Sequence, residues 1–220
     1  MISHDIQKDI VAGCKIETIK VIIKDLDGDY FSLLVDESRY ISHKDQMVIC
    51  LRYVDKKGFV KEAFIGLVHV KDTSALSLKK AIVDVLANHS LTLALVREQC
   101  YDVESNMKDF LNPIDSFSSF DIKRILVMHK LYPDNFDEFK MRALENQLVN
   151  YIIDVRDIDK RFSSLGRLEI FVRKLVETKK HLSYPFVFLL VKFALLLAVA
   201  ITSVERTFLS MKYIKNDFRN

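Results

Sequence analysis

Three acidic residues, far apart in sequence, carry the chemistry this chain could perform. Asp36 closes the apolar run Phe31-Ser32-Leu33-Leu34-Val35. Asp102 follows a second run, Leu93-Ala94-Leu95-Val96, inside Gln99-Cys100-Tyr101-Asp102-Val103-Glu104-Ser105-Asn106-Met107. Glu205 stands in Thr202-Ser203-Val204-Glu205-Arg206-Thr207-Phe208, just past a long apolar stretch. Two aspartates at strand ends and a distant glutamate form the layout that two-metal phosphoryl transfer needs. Carboxylate oxygens suit Mg²⁺ or Mn²⁺, and two ions about 4 Å apart clamp the attacking and leaving oxygens. Any one such acid is ordinary surface in most proteins. The case therefore depends on the elements that would bring the three together.

The periodicity predicts those elements. Ile6, Ile10, Ile16, Ile19 and Ile23 have roughly helical spacing over 5–25, before the turn signal Asp27-Gly28-Asp29. Three strands follow, at about 30–36, 46–54 and 60–69, the last two joined by a Lys56-Lys57-Gly58 hairpin turn. Ser77 to Asn88 reads as an amphipathic helix capped by Ser77, and residues 93–100 as a fourth strand. A strand reached through a crossover helix runs parallel to the first. Further helices are expected over 119–131, 137–156, 167–178 and 185–215. The predicted class is α/β: a partial RNase H-like fold of antiparallel strands 1–3, crossover helix and parallel strand 4, then an α-helical C-terminal region. In that sheet Asp36 lies on the central strand beside Asp102, with the two carboxylates within about 8 Å.

Composition narrows the class. Half of the 220 residues are hydrophobic and the net charge is +3, enough for a core but without the clustered basic face of a nucleic-acid binder. Basic groups occur locally at Lys79-Lys80, Lys179-Lys180, and Lys212, Lys215 and Arg219. Cys14, Cys50 and Cys100 are odd in number and lack ligand spacing, so reduced, mostly buried thiols and no zinc are expected. The N-terminal residues carry no apolar signal region, which predicts a protein that is not secreted. Tyr184 to Val204 is apolar over the ~20 residues a bilayer span needs, with Lys192 near its centre. That lysine costs about 3 kcal/mol, which a dozen apolar residues offset, so hydropathy alone leaves a membrane helix open.

Five segments resemble the hAT family of DNA transposases, in the plant group related to zinc-finger MYM-type-like proteins. They are Phe31 to Arg39, Leu51 to Gly58, Gly66 to Thr73, Tyr101-Asp102 with Ser105-Asn106-Met107, and Ser203 to Phe208. The resemblance implies an RNase H-like catalytic core with a DDE triad, in which Asp36, Asp102 and Glu205 are the catalytic and metal-binding positions. Mg²⁺ or Mn²⁺ is implied only if the triad works, and otherwise no cofactor. It also implies that Tyr184 to Val204 is a buried helix leading to the glutamate, so no membrane contact is expected.

This chain departs from the family pattern. Around the second aspartate the family usually has Gly-Tyr-Asp-Gly-Ala-Ser-Asn-Met, where this chain has Cys100, Val103 and Glu104 for the two glycines and the alanine. Ala198 stands for a usual proline and Leu209 for a usual serine. The zinc-binding DNA-recognition module is not in the chain, and Met107 to Asn112 joins parts that relatives hold far apart. The expectation is an internally deleted, C-terminally truncated copy. It divides into the N-terminal part of the RNase H-like domain (1–110), a helical connecting region (111–183) and the start of the dimerisation region (184–220). The function implied is a non-catalytic remnant, nuclear or cytoplasmic, that associates with itself or other hAT-type proteins and binds DNA weakly or not at all. The alternative is a residual metal-dependent nuclease or strand-transfer enzyme.

Overall fold

Ser3 opens the first element of the computed structural model, which describes residues 3–39, 45–70, 74–97, 111, 117–127, 132–162 and 165–196. Its hydroxyl accepts the Ile6 N–H and starts α1, His4–Leu26. Asp27, in the left-handed region at φ 53°, closes the helix by donating its N–H to the Ile23 carbonyl at 3.0 Å. The chain divides into two compact units: Met1–Tyr53 with Lys61–Val96 and Ala198–Asn220, and Val54–Val60 with Arg97–Leu197.

In the first unit, β1 (Phe31–Arg39) pairs antiparallel with β2 (Asp45–Val54), in register from Phe31 opposite Tyr53 to Arg39 opposite Asp45. β3 (Val60–His69) adds beyond β2, giving the order β1-β2-β3. Alternation along the strands sorts the core. Phe31 and Leu33 of β1 join Met47, Ile49, Leu51 and Tyr53 of β2 in one cluster with Leu26, Ile65 and Leu86. Leu34, Val48 and Cys50 form the other, with Leu67 against them. Each fully buried large side chain contributes about 1.5–3 kcal/mol. Asp25 ties α1 to the sheet, accepting the Tyr53 hydroxyl at 2.9 Å and Lys61 Nζ at 2.6 Å.

The three antiparallel strands and the helix after them follow the expected order. That helix, α2, runs Ala75–Asn88, and its cap is Ser74, whose hydroxyl accepts the Ser77 N–H. The expected fourth strand is not shown. Leu93–Leu95 is a turn of 3-10 helix, Val96 makes an isolated parallel bridge to Phe31, and 98–100 lie outside the described residues. Among the described strands β1 is therefore at the edge of the sheet rather than its centre. Cys50 is buried as expected, but Cys14 is exposed on α1.

The second unit begins with the hairpin turn. The Asp55 carboxylate accepts the Lys57 and Phe59 N–H groups at 2.9 and 2.8 Å, and Gly58 takes φ +82°. The helices are α3 (Ile122–Val127), α4 (Glu138–Ile152), α5 (Leu168–Glu177), α6 (Lys180–Ser183) and α7 (Pro185–Leu196). Asp137 caps α4 by accepting the Lys140 N–H at 2.9 Å. The end of α4 widens into a π-helical turn, Ile153–Ile158, where the sequence pattern predicts unbroken α-helix. Tyr151 and Phe171 are buried completely and meet edge-on at 6.2 Å, with Phe117 and Phe162 packed edge-on against Phe171. Such edge-on pairs add about 0.5–1.5 kcal/mol each beyond burial.

α7 is apolar on nearly every face and lies against α4 and α5, with Val187 and every residue from Leu190 to Leu196 buried. This corrects the expectation that the stretch from Phe186 onward leaves an apolar face exposed, as far as Leu196. Partners twenty to forty residues upstream cover it. Lys192 is buried with Nζ 5.8 Å from the centre of the Phe188 ring. Among the described residues no helix is long and apolar enough to cross a membrane.

Candidate functional site

β1 carries Asp36 at the position opposite Val48 of β2. Asp102 and Glu205 lie outside the described residues. The described residues thus bring no two of the three acids together. Three carboxylates would be a suitable donor set for a hard divalent cation. Among the described residues, however, no group of three or more His, Cys, Asp or Glu could hold a metal ion. The described residues do not assemble the metal site, and no chemical step is derived through one.

The densest polar constellation of the second unit is a different one, absent from the sequence reading. Lys180 Nζ lies 2.5 Å from Asp154 Oδ2 and 3.3 Å from Asp159 Oδ2. The Tyr184 hydroxyl donates to the same Asp154 oxygen at 3.0 Å. Arg161 donates from Nε and Nη2 to the two oxygens of Asp159, at 2.8 and 2.7 Å. The π-helical turn positions this group, because it carries Asp154 at its start and ends just before Asp159. Lys180 opens α6 directly after Lys179, which sits at φ 61°.

The electrostatics decide what the cluster can do. Hydrogen bonds from Arg161 hold the Asp159 carboxyl well below its ordinary value of 3.8. Burial first, and then the bond to Asp154, pushes the Tyr184 hydroxyl up to about 12. At neutral pH the acid stays ionised and the phenol stays protonated, so neither is poised to exchange a proton near pH 7. The arrangement is a clasp between segments 26 to 30 residues apart. Only the repeated acids Asp154, Asp157 and Asp159 advertise it in the sequence, and nothing there names Lys180 or Tyr184 as partners. In the same core the Tyr151 hydroxyl is buried without a hydrogen-bond partner, and burial raises its pKa far above 10.0.

An antiparallel three-stranded sheet followed by helices, with an acid on its first strand, defines an α/β domain of RNase-like class. A family model described as ZMYM1/FAM200, RNase-like domain (DUF4371) matches residues 1–112. The chain belongs to that family, which agrees at this level with its resemblance to zinc-finger MYM-type-like sequences. No solved structure matches the chain.

Proposed function

We propose that this protein is a hAT-transposase-derived domain that has lost catalysis and retains association with like chains through its C-terminal region, residues 184–220. The observation that carries the loss is the replacement of small residues around Asp102 by Cys100, Val103 and Glu104. Glycine permits φ > 0 and close backbone approach, and β-branched Val103 resists both. Glu104 adds a negative charge where two cations would need a balanced set of ligands. Association draws on residues 197–220, since the preceding helix α7 already buries its apolar side chains within its own unit.

The crossover helix and parallel fourth strand belong to the same reading. Support comes from the parallel bridge between Phe31 and Val96. Continued five residues along both strands, that register sets Asp36 opposite Tyr101, one position from Asp102. The same register favours a second reading, in which the triad still assembles and the protein is a residual metal-dependent nuclease or strand-transfer enzyme.

One experiment separates the two readings. Purified protein is incubated with supercoiled plasmid in Mg²⁺ and in Mn²⁺, beside the Asp36→Ala variant. The expected result is no nicking or strand transfer above background in either metal. Metal-dependent nicking that disappears in Asp36→Ala would establish the second reading instead.

A further inference from the structure

α1 is half anchored and half bare. Ile19 is its first buried residue, and Ser3 to Thr18 are exposed on every side. Ile6, Ile10, Val11 and Ile16 are 52, 53, 67 and 54% exposed, a concentration of isoleucine and valine that a solvated helix has no use for. A helix this short is marginal in water without tertiary packing. Gly13 at its middle weakens it by a further ~1 kcal/mol relative to alanine. The helical state of this arm therefore calls for a surface against it.

Its charge pattern selects the occupant. The outer half carries Asp5, Lys8 and Asp9, a net −1, and the inner half Lys15, Glu17 and Lys20, a net +1. A second copy running antiparallel sets each negative half against a positive half, and also opposes the two helix dipoles. A parallel copy would align like with like. The near balance of charge gives no attraction to a polyanion or an anionic membrane. Ile6, Ile10, Gly13 and Ile16 recur at helical spacing on one face. A Cβ at Gly13 would meet nothing within 4 Å, so its surface is open to close approach by another backbone.

We propose that α1 is the seat of an antiparallel dimer of this chain, crossing at Gly13 with Ile10 against Ile16 of the second copy. This surface is separate from the C-terminal region and independent of whether the acidic triad works.

Light scattering on the full chain, with a monomer of 25.6 kDa, tests it across a dilution series. The wild type should be dimeric, and the double variant Ile10→Glu/Ile16→Glu monomeric with the rest of its fold retained by circular dichroism. Both side chains are exposed, so the substitutions do not disturb a core. Two further variants read the orientation. Asp5→Lys/Asp9→Lys makes both halves positive, and Lys15→Glu/Lys20→Glu makes both negative. Each alone should weaken dimerisation at least about tenfold, and their equimolar mixture should restore it. A monomeric wild type would overturn the proposal, as would a dimer untouched by Ile10→Glu/Ile16→Glu. A dimer abolished instead by Phe208→Glu would assign association to the C-terminal region and sink the α1 interface. Failure of the charge-swapped pair to restore the dimer would sink the antiparallel orientation.

Discussion

Replacing Gly58 with alanine should cost far more than the same change at Gly28, and the difference isolates one backbone contact. Both glycines have positive φ, +82° and +74°, so each substitution incurs the left-handed strain of an L-residue, about 1–2 kcal/mol. At Gly28 the new Cβ meets nothing within 4 Å. At Gly58 it meets the Arg173 Cα and N at 3.1 Å and the Val172 carbonyl carbon at 3.2 Å. These are helix backbone atoms of α5 and cannot rotate away, so overpacking adds about 1–3 kcal/mol. The expected totals are about 2–5 kcal/mol for Gly58→Ala and about 1–2 kcal/mol for Gly28→Ala. Gly13→Ala, in an exposed helix with open space around it, should instead stabilise by up to ~1 kcal/mol. Urea unfolding followed by far-ultraviolet circular dichroism measures all three. Amide hydrogen exchange along α5 checks that the Gly58 loss is local to that contact. Equal losses at Gly58 and Gly28 would refute the close-approach argument.

Two further predictions concern the second unit. Gln147 of α4 accepts the Phe186 and Val187 N–H groups at 3.0 and 3.4 Å, capping α7 from 39 residues away. Gln147→Leu keeps the volume but orphans both donors, and should lower stability by about 1–2 kcal/mol in the same urea assay. The Asp159 carboxyl titrates below its ordinary 3.8 in the folded protein because Arg161 binds its ionised form. Its folded value lies below its unfolded one, so its stabilisation is complete above the ordinary carboxylate range and fades as pH falls through and below about 4. Asp159→Asn should therefore be less stable at pH 7 yet lose less on acidification, read as thermal midpoints at pH 7, 5 and 3. Parallel acid limbs for variant and wild type would contradict it.

The strands were legible because alternation is local. Phe31, Leu33 and Val35 alternate with Ser32 and Leu34, and the predicted spans match β1 to β3 within a few residues. α1 was legible for the same reason, its isoleucines recurring at helical spacing. The cap of α2 was misassigned because Ser74 and Ser77 stand three apart and either could begin a helix. The structure chooses Ser74, whose hydroxyl also donates to Ser77 Oγ at 3.0 Å. What failed depends on distant partners. Leu93-Ala94-Leu95 has strand composition but coils into a 3-10 turn. The burial of α7 follows from helices the sequence cannot dock, and the clasp around Lys180 joins residues no local pattern connects. Of the acidic triad, the described structure bears only on the backbone register of Asp36.

The turn at Asp55 to Phe59 has a consequence for the order in which the chain is made. It is translated roughly 115 residues before Arg173, the residue whose backbone Gly58 abuts and whose guanidinium lies 5.0 Å from the Phe59 ring centre. At synthesis rates of about 5–20 residues per second, that gap lasts on the order of 6–23 seconds. The local part of the turn, the Asp55 carboxylate bridging two N–H groups, needs nothing downstream. The nascent protein can thus carry a finished turn with an uncovered phenylalanine while α5 is still being made. During that interval Phe59 is a place where a ribosome-associated chaperone could bind, and the arrival of Arg173 closes it.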